Sequence, residues 1–241
     1  MNDNGTAITR GAHYPKIPAW QVVFGVCLAG TSGAAILAHV FGPLPMMFTV
    51  PFIVMPSVFF LLLIIGVRSR LNWRFQEAAR LLVVGAVAGF LGTICYDLSR
   101  PLVRLMFSFR FNPFGAMPIF GSLMTGLPVT SHIAIIVGWI YHFWNGISFG
   151  MMFALVRPRG GALPGFIWGL GLQTLMFITY PRFLEVRLND PGFVAMGLIG
   201  HSIWGIVLGI GVRWWGQHVY PAKDSGIVLV RPLLCRNCLC G

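Results

Sequence analysis

The stretch from Ile17 to Val67 reads IPAWQVVFGVCLAGTSGAAILAHVFGPLPMMFTVPFIVMPSVFFLLLIIGV and contains no Asp, Glu, Lys or Arg. A helix needs about 20 consecutive apolar residues to cross the hydrocarbon core of a bilayer, so this stretch holds two crossings. Gly42-Pro43-Leu44-Pro45 divides them, and a junction so short and apolar serves as a tight hairpin. Three more stretches lack charge in the same way: Phe111 to Val156, Gly160 to Pro181 and Pro191 to Val212.

Composition agrees. Of 241 residues, 56% are hydrophobic and 10% charged, against about 25% charged in an ordinary soluble domain. The expected fold is all-α, a polytopic membrane helix bundle with six transmembrane helices at Trp20 to Phe41, Met46 to Val67, Ala78 to Tyr96, Ser131 to Val156, Leu163 to Tyr180 and Pro191 to Trp215. Residues 1–19 then form an N-terminal segment, 20–67 a transmembrane hairpin, 78–215 a four-helix core and 216–241 a tail. Pro181 is expected to stop the fifth helix. The first apolar run exceeds the roughly 7–15 residues of a signal-peptide core, so a retained helix is expected.

The formal charge of +11 comes from Lys and Arg in short clusters between apolar runs. Nucleic-acid binders gather such residues on one face or stripe, which excludes that partner. Anionic lipid headgroups at the cytoplasmic face are the expected one. Lysine occurs only at Lys16 and Lys223, outside the apolar runs, which excludes a retinal pigment because its Schiff base needs a buried amine. Basic residues stay on the cytoplasmic side of short connections. Twelve of the seventeen fall on the face that carries both termini, including Arg68, Arg70, Arg157, Arg159 and Arg213, and five fall opposite, including Arg100, Arg104 and Arg110. Both ends are therefore expected in the cytoplasm.

The connection from Asp97 to Thr130 is too long for a turn and too apolar for a solvated loop. Phe107, Phe109 and Phe111 alternate with Ser108 and Arg110, and Asn112-Pro113-Phe114-Gly115 follows. A re-entrant or interfacial segment at 99–130 is expected, because broken backbone at membrane depth survives only where protein or a cavity satisfies it.

The fourth helix carries His142-x-x-x-Gly146-x-x-x-Gly150, and the sixth carries His201-x-x-x-Gly205-x-x-x-Gly209. Residues four apart share a helix face, so each imidazole heads a glycine groove of the kind that lets membrane helices approach closely. Ser131 and Asp190, both candidate N-caps, precede their histidines by the same interval. Gly85 and Tyr96 match Gly169 and Tyr180 in separation. A parallel repeat of helices three and four with five and six follows as an expectation.

Intramembrane polar groups are candidates for function because hydrocarbon penalises them unless they are satisfied. The candidate set for a ligand or ion is His142, Asn145, His201, Ser202, Tyr96, Asp97 and Tyr180. Four readings compete. The pair could line a polar, protonatable path or pocket in a non-enzymatic binding or transport protein. His142 and His201 could hold a b-type haem in a redox subunit. They could hold a divalent metal, with Asp97 or Glu185 as third ligand. The glycine faces could instead serve a structural or assembly subunit, paired with a membrane-protein partner or a second copy. Packing alone also explains each histidine, and Asp97 with Arg100 reads most simply as an interfacial ion pair. Cys235-x-x-Cys238-x-Cys240 in the tail has a spacing that thiolates use for zinc, but the set is incomplete. Palmitoylation or an inert tail is the simpler expectation there.

The segments Tyr141-His142-Phe143-Trp144-Asn145-Gly146-Ile147-Ser148-Phe149-Gly150 and Gly200-His201-Ser202-Ile203-Trp204-Gly205 resemble the glycine-spaced histidine helices of uncharacterised bacterial multi-pass integral membrane protein families. The resemblance covers roughly the last two thirds of the chain and implies a bacterial inner membrane location. It transfers no activity, and helices one and two have no counterpart in it.

Overall fold

The computed structural model describes residues 17–70, 72–184 and 186–219. Glu185 and the tail thiols Cys235, Cys238 and Cys240 lie outside the described residues. Among the described residues, seven helices of ten residues or more follow in order: α1 Ala19–Phe41, α2 Met46–Gly66, α3 Trp73–Phe107, α4 Ala116–Thr125, α5 His132–Val156, α6 Ala162–Leu184 and α7 Pro191–Val219. All except α4 are long and apolar enough to cross a membrane. Large apolar side chains such as Phe52, Phe59, Ile140 and Leu105 stand exposed on the outside, a surface that lipid accepts and water does not. The chain is an integral membrane protein built as an all-α bundle.

Several boundaries differ from the sequence expectation for local reasons. Helix α3 starts earlier, at Trp73, because the Asn72 side chain accepts the Phe75 N–H at 3.2 Å and caps it. It also runs past Tyr96, through Pro101, to Phe107, and closes on a left-handed Ser108 with φ 51°. Pro101 has no N–H to offer the Asp97 carbonyl, yet the helix continues. Likewise α6 passes through Pro181 and ends at Leu184. In α2, Pro51 falls in a π-turn at Val50–Val54, the usual way a helix absorbs a missing donor.

Two crossings set the core. Helices α3 and α5 meet where Gly85 and Gly89 face Gly146 and Gly150, and α6 and α7 meet where Gly165 and Gly169 face Gly205 and Gly209. A methyl group on any of these would strike the facing helix, so the sequence of small residues fixes both distances. The glycine faces of the two histidine helices are thus used inside the chain. Helix α3 also packs along α7, and α1 packs along α5 while touching α6 only lightly. Ser32 and Ser148 share a hydrogen bond of 3.0 Å, and the Tyr141 hydroxyl donates to the Ser32 carbonyl at 2.6 Å, which ties α1 to α5. The result is a ring of five helices, α1, α5, α3, α7 and α6, closed most thinly between α1 and α6.

The segment after Ser108 turns back into this ring. Gly138 on α5 faces Met117, and Gly121 on α4 faces Ala134, so α4 climbs antiparallel to the first half of α5. On its buried face, Phe120 and Met124 pack with Met46 and Tyr141.

Candidate functional site

Tyr96, Asp97 and Arg100 project from adjacent turns in the second half of α3. Asp97 accepts a hydrogen bond from Arg100 and a second from His142 of α5, whose Nε2 lies 3.0 and 3.1 Å from the two carboxylate oxygens. Arg100 also donates to the Pro113 carbonyl. Its guanidinium sits 4.2 Å from the Tyr96 ring centroid and 4.8 Å from that of Phe114, within cation–π range. The expected ion pair is present, but it is no exposed rim contact. The side chains of Arg100, Asp97 and His142 are only 7%, 13% and 15% exposed. Burial of charge on this scale requires pairing and hydrogen bonding of every partner, and the cluster supplies most of it. With Asp97 and Arg100 balancing each other, a neutral His142 leaves the group without net charge.

The two imidazoles belong to one site. The Tyr96 ring lies 5.9 Å from His142 and 4.8 Å from His201, centroid to centroid, so the imidazoles stand no further apart than those two distances combined. His142, Asn145, His201, Tyr96 and Tyr180 all line a central cavity of about 100 Å³. Thr93, Thr179 and Trp204 also line it, and Ile36, Leu37, Phe120, Phe149, Leu172, Leu175 and Met176 make the rest of the wall largely apolar. A smaller cavity of about 40 Å³ shares Tyr96, His142 and Tyr180 with it and continues toward Arg100, Phe111 and Pro113. Asp97 stands behind His142 rather than in the wall. Ser202 does not line the cavity either, being turned about 100° around the helix from His201.

The tautomers follow from the partners. A carboxylate only accepts, so neutral His142 carries its proton on Nε2. A backbone carbonyl only accepts, so neutral His201 carries its proton on Nδ1, which lies 3.2 Å from the Gly197 oxygen. Each ring therefore keeps a lone pair on its other nitrogen, with no hydrogen-bond partner among the described residues. The Asn145 Oδ1 atom is buried and equally unpartnered among them. Thr93 and Thr179 spend their hydroxyl protons on the carbonyls of Gly89 and Leu175, at 2.8 and 3.0 Å. The polar groups of this largely apolar wall are therefore mainly acceptors, while the tyrosine hydroxyls can act either way.

Neither cofactor considered from the sequence finds a ready seat. Among the described residues, no three His, Cys, Asp or Glu side chains gather as a metal set, and Asp97 is already shared between Arg100 and His142. The Tyr96 ring packs on both imidazoles, at 5.9 and 4.8 Å between centroids, and the cavity is well below the roughly 300–1,000 Å³ of a site for a larger ligand. Cys27 is exposed and Cys95 half-buried, both as free thiols.

Sequence reasoning missed Gln173. It is fully buried on α6 beside Gly197, with both side-chain amide atoms unpartnered among the described residues. A lone glutamine in the charge-free run Gly160 to Pro181 was the available signal. The clamp of Arg100 onto Pro113 and Phe114 had no signal, because it joins a helix to a loop with no pattern of its own.

No protein-family model, curated protein or solved structure matches this chain, so the resemblance of the histidine segments stands on those residues alone.

Proposed function

We propose that the protein binds a small hydrogen-bond-donating solute in the His142–His201 cavity and passes it through the bilayer. The observation that carries this reading is the commitment of each imidazole N–H to a protein acceptor, which leaves one bare nitrogen on each of two rings that line the same cavity. Such a wall favours a guest that brings donors. Ammonium and short primary amines fit best, since a protonated amine has three donors and no acceptor, and the Trp204 ring in the wall adds cation–π attraction. A cavity of about 100 Å³ admits only a few heavy atoms, given about 30 Å³ per water in the liquid.

The basic bias of the connections supports a location with both ends in the cytoplasm, and the resemblance supports a bacterial inner membrane. We read the α3–α5 and α6–α7 crossings as copies of one hairpin, which accounts for two histidines arriving at one cavity.

The test is uptake of radiolabelled methylammonium at pH 6 into proteoliposomes. Saturable uptake that H142A and H201A each abolish supports the proposal. Uptake equal to that of empty liposomes, or unchanged in both variants, overturns it.

A further inference from the structure

Helices α5 and α6 are consecutive, yet their backbones barely approach each other, and they meet through side chains such as Phe153 and Trp168, whose ring centroids are 5.9 Å apart. The short turn Arg157 to Gly161 joins them, and it is held instead against α7: the Gly161 N–H donates to the Gly209 carbonyl at 2.7 Å, and Gly160 packs on the Arg213 backbone. A groove of about 530 Å³ remains between α5 and α6, within the range of sites that bury a whole ligand. Phe153, Leu163, Ile167, Trp168 and Leu172 give it an apolar wall, and Arg157 stands at its mouth. Leu163 and Ile167 are 66% and 60% exposed toward the bilayer side. At its deep end, Leu172 is shared with the histidine cavity.

Charge at the mouth is one-sided. Arg157, Arg159 and Arg213 are all exposed around the same turn, and among the described residues no acid pairs with any of them. An apolar trough in the membrane, capped by unpaired cations at the interface where headgroups lie, is complementary to an amphiphile with a negative head.

We propose that this groove is a binding site for one anionic phospholipid, with an acyl chain along Phe153, Ile167 and Leu172 and the phosphate at Arg157. Arg159 and Arg213 supply the surrounding positive field. The site is independent of the solute proposed for the histidine cavity.

The test uses the full chain, purified and delipidated in mild detergent, titrated with phosphatidylglycerol or phosphatidylcholine and read by native mass spectrometry. A single bound phosphatidylglycerol in preference to phosphatidylcholine is expected. R157A should lower its occupancy about fivefold, the worth of one basic side chain near an anionic surface. G171L offers a steric arm: a Cβ at Gly171 meets nothing within 4 Å, so leucine fills the groove without straining the helix and should exclude the lipid. Equal binding of the two lipids overturns the proposal. So does a phosphatidylglycerol adduct that survives G171L, since the headgroup would then sit on the surface with no chain in the groove.

Discussion

His142 and Asp97 are 45 residues apart in sequence, and His142 Nε2 lies 3.0 and 3.1 Å from the two Asp97 carboxylate oxygens inside the helix ring. Asp97 also neutralises Arg100. Removing it strands a buried guanidinium, and the loss of one partner from a buried pair costs about 3–5 kcal/mol. D97A should therefore unfold at markedly lower denaturant or temperature. The double variant D97A/R100M should recover part of that loss, because the stranded charge is gone, and equal instability of single and double variants would count against the shared cluster.

Arg100 does a second job for the segment that follows α3. It donates to the Pro113 carbonyl and lies over Phe114, supplying backbone satisfaction that this irregular stretch cannot find in itself. Lysine keeps the charge but loses the planar fork. In R100K, amide exchange from Phe111 to Met117 should rise about tenfold, equivalent to about 1.4 kcal/mol and one good hydrogen bond, with α7 unaffected. Hydrogen-exchange mass spectrometry reads both regions at once.

Glycine positions should divide sharply by what faces them. Gly205 opposes the Gly165 backbone and Gly169, so G205V forces α6 and α7 apart and should cost about 1–3 kcal/mol or more. G171A enters open space and should leave thermal stability unchanged. A scan of melting temperatures across both variants checks the contrast.

The two candidate caps should also part company. Asp190 Oδ1 accepts the Phe193 N–H at 3.0 Å, whereas the Ser131 side chain makes no capping hydrogen bond. D190A should lose about 1 kcal/mol of stability and S131A close to none, by the same denaturation measurement.

Much of this architecture was legible in the residues. Absence of charge over tens of residues located five of the six long helices, because a bilayer leaves few alternatives for such stretches, while the third was marked only by the shorter charge-free run Leu81 to Tyr96. The matched histidine and glycine spacings marked the two faces that bring His142 and His201 together, since spacing by four fixes a helix face. Helix ends at proline were not legible. Pro101 and Pro181 stop a free helix, but packing against neighbours carried α3 and α6 past them. Arg100 shows the same limit at the site. Its pairing with Asp97 is local and readable at a spacing of three, while its reach to Pro113 depends on a chain reversal that no periodicity encodes. Gln173 was overlooked because a single amide in an apolar run carries no pattern, although its burial makes it costly.

Each imidazole spends its proton on the protein and keeps a bare nitrogen on a ring that lines the cavity. Nitrogen-15 NMR of histidine-labelled protein in bilayers reads this directly, with H142Q and H201Q assigning the signals. Opposite tautomers are expected, His142 protonated at Nε2 and His201 at Nδ1, with both bare-nitrogen resonances moving when methylammonium is added. The same tautomer at both positions, two cationic rings, or resonances indifferent to methylammonium would contradict it.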